Sequence, residues 1–186
     1  MRITPTELAG VVLIAPIRHE DPRGFFVETY NWETWSAAGI TTRFVQDNHS
    51  LSRPKGTIRG LHFQTKPFAQ DKLVRVIRGS VLDVAVDIRQ GSPTYGRHVA
   101  VKLTADDPTQ ILVPTGFAHG FCTLEPDTEV VYKVSNVYSK ANDRGLRWND
   151  PALGIRWPVG VAEAIVSDKD AAAPLLAELE PAFSLA

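Results

Sequence analysis

Short apolar runs follow one another along the chain, punctuated by Gly, Pro, Asn and Asp. The clearest is Lys72–Ile88, KLVRVIRGSVLDVAVDI. Two arms rich in β-forming residues flank Arg78-Gly79-Ser80, a pattern that predicts a hairpin. In the second arm Asp83, Ala85 and Asp87 fall on one face, and Val84, Val86 and Ile88 on the other. Val11–Ile17 predicts a strand, followed by a turn at Asp21-Pro22-Arg23-Gly24 and a second strand over Phe25–Tyr30. Trp32–Ala38 predicts one short helix closed by Gly39. Arg43–Val45, Ile58–Gln64, His98–Leu103, Ile111–Val113 and Glu129–Val137 predict further strands, and Ala171–Leu179 a helix with Pro174 in its first turn. So many short strands at close spacing imply a mainly β antiparallel sandwich or barrel with a few short helices. No repeat or linker divides the 186 residues, so one domain over 1–186 is expected.

Composition narrows the partners. The formal net charge is −1, which disfavours a general nucleic-acid binder but leaves room for a local basic cluster around one phosphorylated ligand. Cys122 is the only cysteine, so an intrachain disulfide is impossible and a reducing compartment fits. The first ten residues lack the apolar core of a signal peptide, and no apolar run approaches the roughly 18 residues of a membrane helix. A soluble cytoplasmic protein is the expectation.

Candidate chemistry gathers in three strands. Arg59-Gly60-Leu61-His62-Phe63-Gln64 sets a histidine, the usual proton-transfer residue near neutral pH, beside a basic residue and an amide. Taken alone, His62 reads equally as a core or surface histidine. Pro114-Thr115-Gly116-Phe117-Ala118-His119 has the PxGxxH spacing of the second half of the cupin metal motif. Its first half, two histidines one residue apart with a glutamate, is lacking, because Gln64 stands where the second histidine would be. Two histidines fall short of a metal's usual three ligands, so a cupin-like barrel without a metal is expected. Tyr132 shares an apolar strand face with Val130 and Val134, and its phenol could move a proton if the barrel also holds the histidine. Lys72 shares parity with Val74 and Val76, which suits either a functional lysine or one that snorkels to water. Arginines such as Arg23 and Arg59 match phosphate oxygens with their fork of donors. Arg59 and His62 lie an odd number of residues apart, on opposite faces by strict alternation. Either Gly60 marks a bulge, or Arg59 binds from another direction, which a dimer exchanging N-terminal strands could supply.

In order and spacing, the segments RGFFVETY, FVQDNHSLS, GTIRGLHFQ, QDKLVRVIRGSVLDVAVDIRQGSPTYG, VPTGFAHGF, VVYKVSNVY and SDKD resemble those of dTDP-4-dehydrorhamnose 3,5-epimerases, from about Arg23 to Asp170. The resemblance implies a cupin-like jelly roll, a homodimer, no metal or other cofactor, and a dTDP-4-keto-6-deoxy sugar as substrate. By position, His62 is similar to the family's base, Tyr132 to the opposing acid and Lys72 to the group near the ketone oxygen. Asp170 fits the aspartate that pairs with the base, with Asp83 as second choice. Arg23, Glu28, Gln46, Asn48, Arg59 and His119 match substrate contacts, and Tyr138 a tyrosine that stacks on thymine. Asp143 and Lys169 fall at further contact positions, Asp143 where the family carries a glutamate. Three other readings remain open: a relative that epimerises only C3 or C5 or another keto sugar, a metal-dependent cupin enzyme, and a non-catalytic sugar-binding jelly roll.

Overall fold

The computed structural model describes residues 1–185, mostly as short strands. The N-terminal third supplies β1 (Arg2–Pro5), β2 (Val12–Ala15), β3 (Arg18–Asp21), β4 (Gly24–Val27), β5 (Gln46–Ser52) and β6 (Ile58–Gln64). The middle supplies β7 (Lys72–Arg78), β8 (Ser80–Asp87), β9 (Arg89–Gln90), β10 (His98–Thr104) and β11 (Gln110–Val113). Then come β12 (Phe117–Thr123), β13 (Thr128–Val134), β14 (Asp143–Gly145) and β15 (Phe183–Ser184). The helices α1 (Trp32–Ala37) and α2 (Asp168–Ala171) are short, and no helix is long and apolar enough to cross a membrane among the described residues.

Two mainly antiparallel sheets form a jelly-roll-like sandwich. One runs β1-β2-β11-β7-β13-β5, the other β10-β8-β12-β6-β14. Between them Val74, Val76, Ile111 and Val130 of the first sheet meet Val81, Ala85, Phe117 and Phe121 of the second. The outer face of the second sheet is also covered: Leu61, Phe63, Val84 and Val86 pack under Leu146, Leu153 and Phe183. Trp35 of α1 covers Ile14, Leu73 and Leu112 on the outside of the first sheet. The helix forms where predicted, with the Asn31 side chain accepting from the backbone of Glu33 and Thr34 and with Gly39 at φ +92° just past its end.

Three expectations need correction. Lys72–Ile88 is not a hairpin. Arg78-Gly79-Ser80 instead carries the chain from one sheet to the other, because β7 is already paired with β11 and β13, and β8 with β10 and β12. The face of β8 bearing Asp83, Ala85 and Asp87 looks polar yet points into the sandwich, and all three are buried. The strand expected at Arg43–Val45 lies at Gln46–Ser52, a segment whose only large apolar residue is Leu51. The C-terminal helix occupies Asp168–Ala171, capped by Ser167, whose hydroxyl accepts from the Asp170 N–H. Pro174 follows that helix rather than opening one, since proline disfavours helix in the residue before it, and one 3-10 turn forms at Leu176–Glu178.

Asp87 ties down the segment after β8. Its carboxylate accepts from Arg89 N and Nη2 and from the hydroxyls of Ser92 and Thr94, at 2.6–2.9 Å. Burial pushes this carboxyl up, but the donors outweigh it and hold the pKa at about 2. A carboxyl depressed in the fold stabilises it above the unfolded value near 3.8, and that stabilisation is lost as pH falls toward 2. Asp87→Asn should therefore lose about 1–3 kcal/mol at pH 7, with the gap to the parent closing between pH 4 and pH 2 in urea titrations.

Candidate active site

The cleft opens between the sheets where β5, β7 and β13 face β6 and β12. Its shape depends on Gly60. His119 of β12 lies opposite His62 of β6, but Phe121 lies opposite Arg59, so β6 holds one extra residue. Gly60 is at φ +120°, and a Cβ there would sit 2.7 Å from both Gly120 Cα and His119 O. This bulge turns both Arg59 and His62 into one cavity of about 470 Å³, which resolves the parity conflict in RGLH. Arg59 also reaches across to the other sheet, donating Nε–H to Ser52 Oγ and Nη2–H to Leu51 O, both at 3.0 Å.

His62 gives Nε2 to Asp170 Oδ1 at 2.5 Å. Asp170 is the nearly buried end of the SDKD segment, and its Oδ2 also accepts from Gly60 N at 3.1 Å. Burial pushes the Asp170 carboxyl up, while the His62 ring, the Gly60 N–H and the Ser167 hydroxyl bring it below the usual carboxylate range. The carboxylate thus holds the hydrogen on Nε2, and Nδ1 has no protein partner among the described residues. Asp83, the second choice, pairs with His119 instead.

Tyr132 stands on the opposite wall, on β13, beside the apolar cluster of Val74, Val76 and Val130. Burial raises its phenol pKa, against the pull of Arg59, so the group is a protonated donor near neutrality. Lys72 lies between the walls, only 8% exposed, and donates to His62 O at 3.1 Å. Burial pulls its ammonium down to about 8, against the carboxylates of Asp143 and Asp83.

A second cavity of about 340 Å³ shares His62, Lys72, Tyr132 and Lys169 with the first and adds Gln46, Asn48, Tyr138 and Asp143. Lys169 pairs with Asp143, which also accepts from Tyr138 Oη at 3.1 Å. The Tyr138 ring is 57% exposed, a free face at the mouth. Eleven of the thirteen residues singled out from the sequence therefore line one continuous cleft: His62, Tyr132, Lys72, Asp170, Gln46, Asn48, Arg59, His119, Tyr138, Asp143 and Lys169.

Arg23 and Glu28 do not reach the cleft of their own chain. They flank β4, which among the described residues pairs only with β3. Arg23 is bound to Asp21, and Glu28 borders a separate cavity with Met1 and Phe26. Ser50, Thr57, Phe121 and Ser167 line the cleft without having been singled out. Only Ser167 carried a signal, as a helix cap ahead of an acidic turn.

A family model described as dTDP-4-dehydrorhamnose 3,5-epimerase matches residues 5–178. A dTDP-4-dehydrorhamnose 3,5-epimerase of Sinorhizobium fredii is 50% identical over 177 residues, covering 95% of this chain and 90% of that protein. The dTDP-6-deoxy-D-glucose-3,5-epimerase of Legionella pneumophila, solved with dTDP-4-keto-L-rhamnose, superimposes with a TM-score of 0.91 at 43% identity, covering 96% of this chain and 94% of that one. A dTDP-4-dehydrorhamnose 3,5-epimerase of Bacillus anthracis, solved with TDP and PPi, gives a TM-score of 0.90 at 49% identity, over 94% and 98%.

The buried Lys72 works against the fold. Its pKa falls from 10.5 to about 8, so the unfolded chain holds the proton more tightly and stability rises with pH between those values. Lys72→Met should be more stable than the parent at pH 7 by about 1–3 kcal/mol, and the advantage should fade as pH climbs above 8. Denaturant midpoints across that range test it.

Proposed function

The chain belongs to the dTDP-4-dehydrorhamnose 3,5-epimerase family, and on that footing we propose that His62 and Tyr132 carry its proton transfers. The chain is an isomerase that epimerises dTDP-4-dehydro-6-deoxy-D-glucose at C3 and C5 to dTDP-4-dehydro-L-rhamnose. Both carbons adjoin the C4 ketone, so loss of either hydrogen gives an enolate, and inversion needs its return from the other face. The observation that carries the mechanism is the placement of His62 and Tyr132 on facing sheets of one cavity, with Lys72 between them.

In this reading Nδ1 of His62 takes the proton, because Asp170 holds the hydrogen on Nε2. The Lys72 ammonium stabilises the developing oxyanion, a contribution often worth about 3 kcal/mol in a water-poor site. The Tyr132 hydroxyl delivers a proton to the opposite face, and its raised pKa keeps it in the donating form. Each inversion leaves His62 protonated and Tyr132 ionised, exchange with solvent resets both groups, and no change of oxidation state occurs. Tyr138 offers its ring to the thymine, while Arg59 with its fork of donors suits the diphosphate.

The same reading extends to a homodimer. Among the described residues the β3–β4 hairpin pairs with no other strand, and it leaves Phe25 and Phe26 57% and 71% exposed. Carried to a neighbouring copy, it would bring Arg23 and Glu28 to that copy's cleft. The lone buried Cys122 and the nucleotide-sugar substrate support a cytoplasmic location.

Two experiments test the assignments. With dTDP-4-keto-6-deoxyglucose in deuterated buffer, His62→Ala should lose solvent exchange at C3 and C5. Tyr132→Phe should still exchange deuterium into recovered substrate at one or both carbons, while inverted product falls by about 10²-fold or more. Inverted product formed at the parent's rate by Tyr132→Phe would assign protonation to another donor. Separately, Tyr138→Ala should weaken dTDP binding by about 1–3 kcal/mol in calorimetry, the usual worth of one stacked base. Equal affinity would remove Tyr138 from the nucleotide site.

A further inference from the structure

The cleft holds a second histidine–carboxylate pair to which the proton transfers assign no task. His119 and His62 lie opposite each other in register on neighbouring strands, and both line the same cavity. His119 sets Nε2 against both oxygens of Asp83, at 3.0 and 2.9 Å. Asp83 is fully buried, and the ring is the only side chain that hydrogen-bonds its carboxylate among the described residues.

Apart from the Lys72 ammonium, whose charge Asp83 favours without an ion pair between them, the surroundings of this carboxylate are apolar. Val81 and Ala85 flank Asp83 on the inward face of β8, Val101 stands opposite it on β10, and Phe121 on β12. A valine would fill that place without the several kcal/mol that desolvating a carboxylate costs. What the carboxylate does is fix a ring. It takes the Nε2 hydrogen, which leaves Nδ1 of His119, a residue that lines the cavity, without a protein partner among the described residues. The two histidines thus share one design, Nε2 bound to a buried carboxylate and Nδ1 left free. One of them, His62, is about a third exposed, whereas His119 is closed in.

We propose that Asp83 is a positioning residue that acts through His119, holding the ring so that Nδ1 accepts a hydrogen bond from a hydroxyl of the substrate's hexose. This orients the sugar against His62 while His62 alone takes the carbon-bound proton. The inference rests on the sugar-nucleotide reading of the cleft and refines where the hexose lies within it.

The test compares dTDP, which has no hexose, with dTDP-glucose, a hexose-bearing ligand without the ketone. Asp83→Val should leave dTDP affinity within about twofold and weaken dTDP-glucose by about tenfold, the scale of one lost hydrogen bond. Asp83→Asn retains an oxygen for the Nε2 hydrogen and should restore most of that loss. In the parent, nitrogen-15 NMR of the His119 ring should find the hydrogen on Nε2, with the Nδ1 signal moving on addition of dTDP-glucose but not of dTDP. Equal weakening of both ligands, weakening of neither, or no recovery with Asp83→Asn would overturn the assignment. So would a parent ring carrying its hydrogen on Nδ1, even if Asp83→Val does not fold. A parent that binds neither ligand would overturn the sugar-nucleotide reading as well.

Discussion

Two glycines in contact decide where Arg59 and His62 point. Gly60 and Gly120 bring β6 and β12 so close that a methyl on either would collide with the other strand's backbone. The extra residue of β6 is taken up there, and only because of it do Arg59 and His62 share a face. The bulge also turns the Gly60 N–H toward Asp170, so one carboxylate grips both the backbone of the distortion and the ring of His62 that follows it. α2 is thereby fastened to β6 by the interaction that orients the base. Local irregularity, catalytic geometry and the docking of the C-terminal segment are a single arrangement.

The interior of this sandwich is only partly a hydrophobic core. Val74, Val130, Phe117 and Phe121 fill part of it. The same strands carry Lys72, Tyr132, His119 and Asp83 inward at alternate positions, with Tyr132 in register with Val74 and Asp83 with Phe121. Placing a lysine and a carboxylate there opposes folding, and the stability comes from the apolar positions between them and the outer layers over both sheets. That division explains why the outer faces are so thoroughly covered. Trp35 on one side and Phe183 with the C-terminal segment on the other bury apolar surface that the partly polar lumen does not supply.

This division also set what could be read from the sequence. Strands with an apolar face, such as Ile58–Gln64 and His98–Thr104, showed themselves by alternation. Gln46–Ser52 did not, because its inward residues Gln46, Asn48 and Ser50 face the cleft instead of the core. For β5 apolar periodicity is silent, and there long motif resemblance was informative where pattern was not. Periodicity also misled at Lys72–Ile88. Two β-rich arms around Gly79 look like a hairpin whether they pair with each other or with other strands, and only tertiary pairing decides. Asp83 could not be distinguished from Asp170 as the partner of His62 for a related reason. Strand parity puts a side chain on a face but does not choose between two histidines on adjacent strands.

The β3–β4 hairpin bears on heredity. If it completes a neighbour's cleft, as proposed, each cleft is the product of two polypeptides, with the base from one and Arg23 from the other. A chain lacking His62 would still lend a sound hairpin, and a chain lacking Arg23 would still own a sound base. In a mixed dimer one cleft would collect both faults and the other neither. Two defective alleles in one cell would then restore part of the activity that neither supports alone.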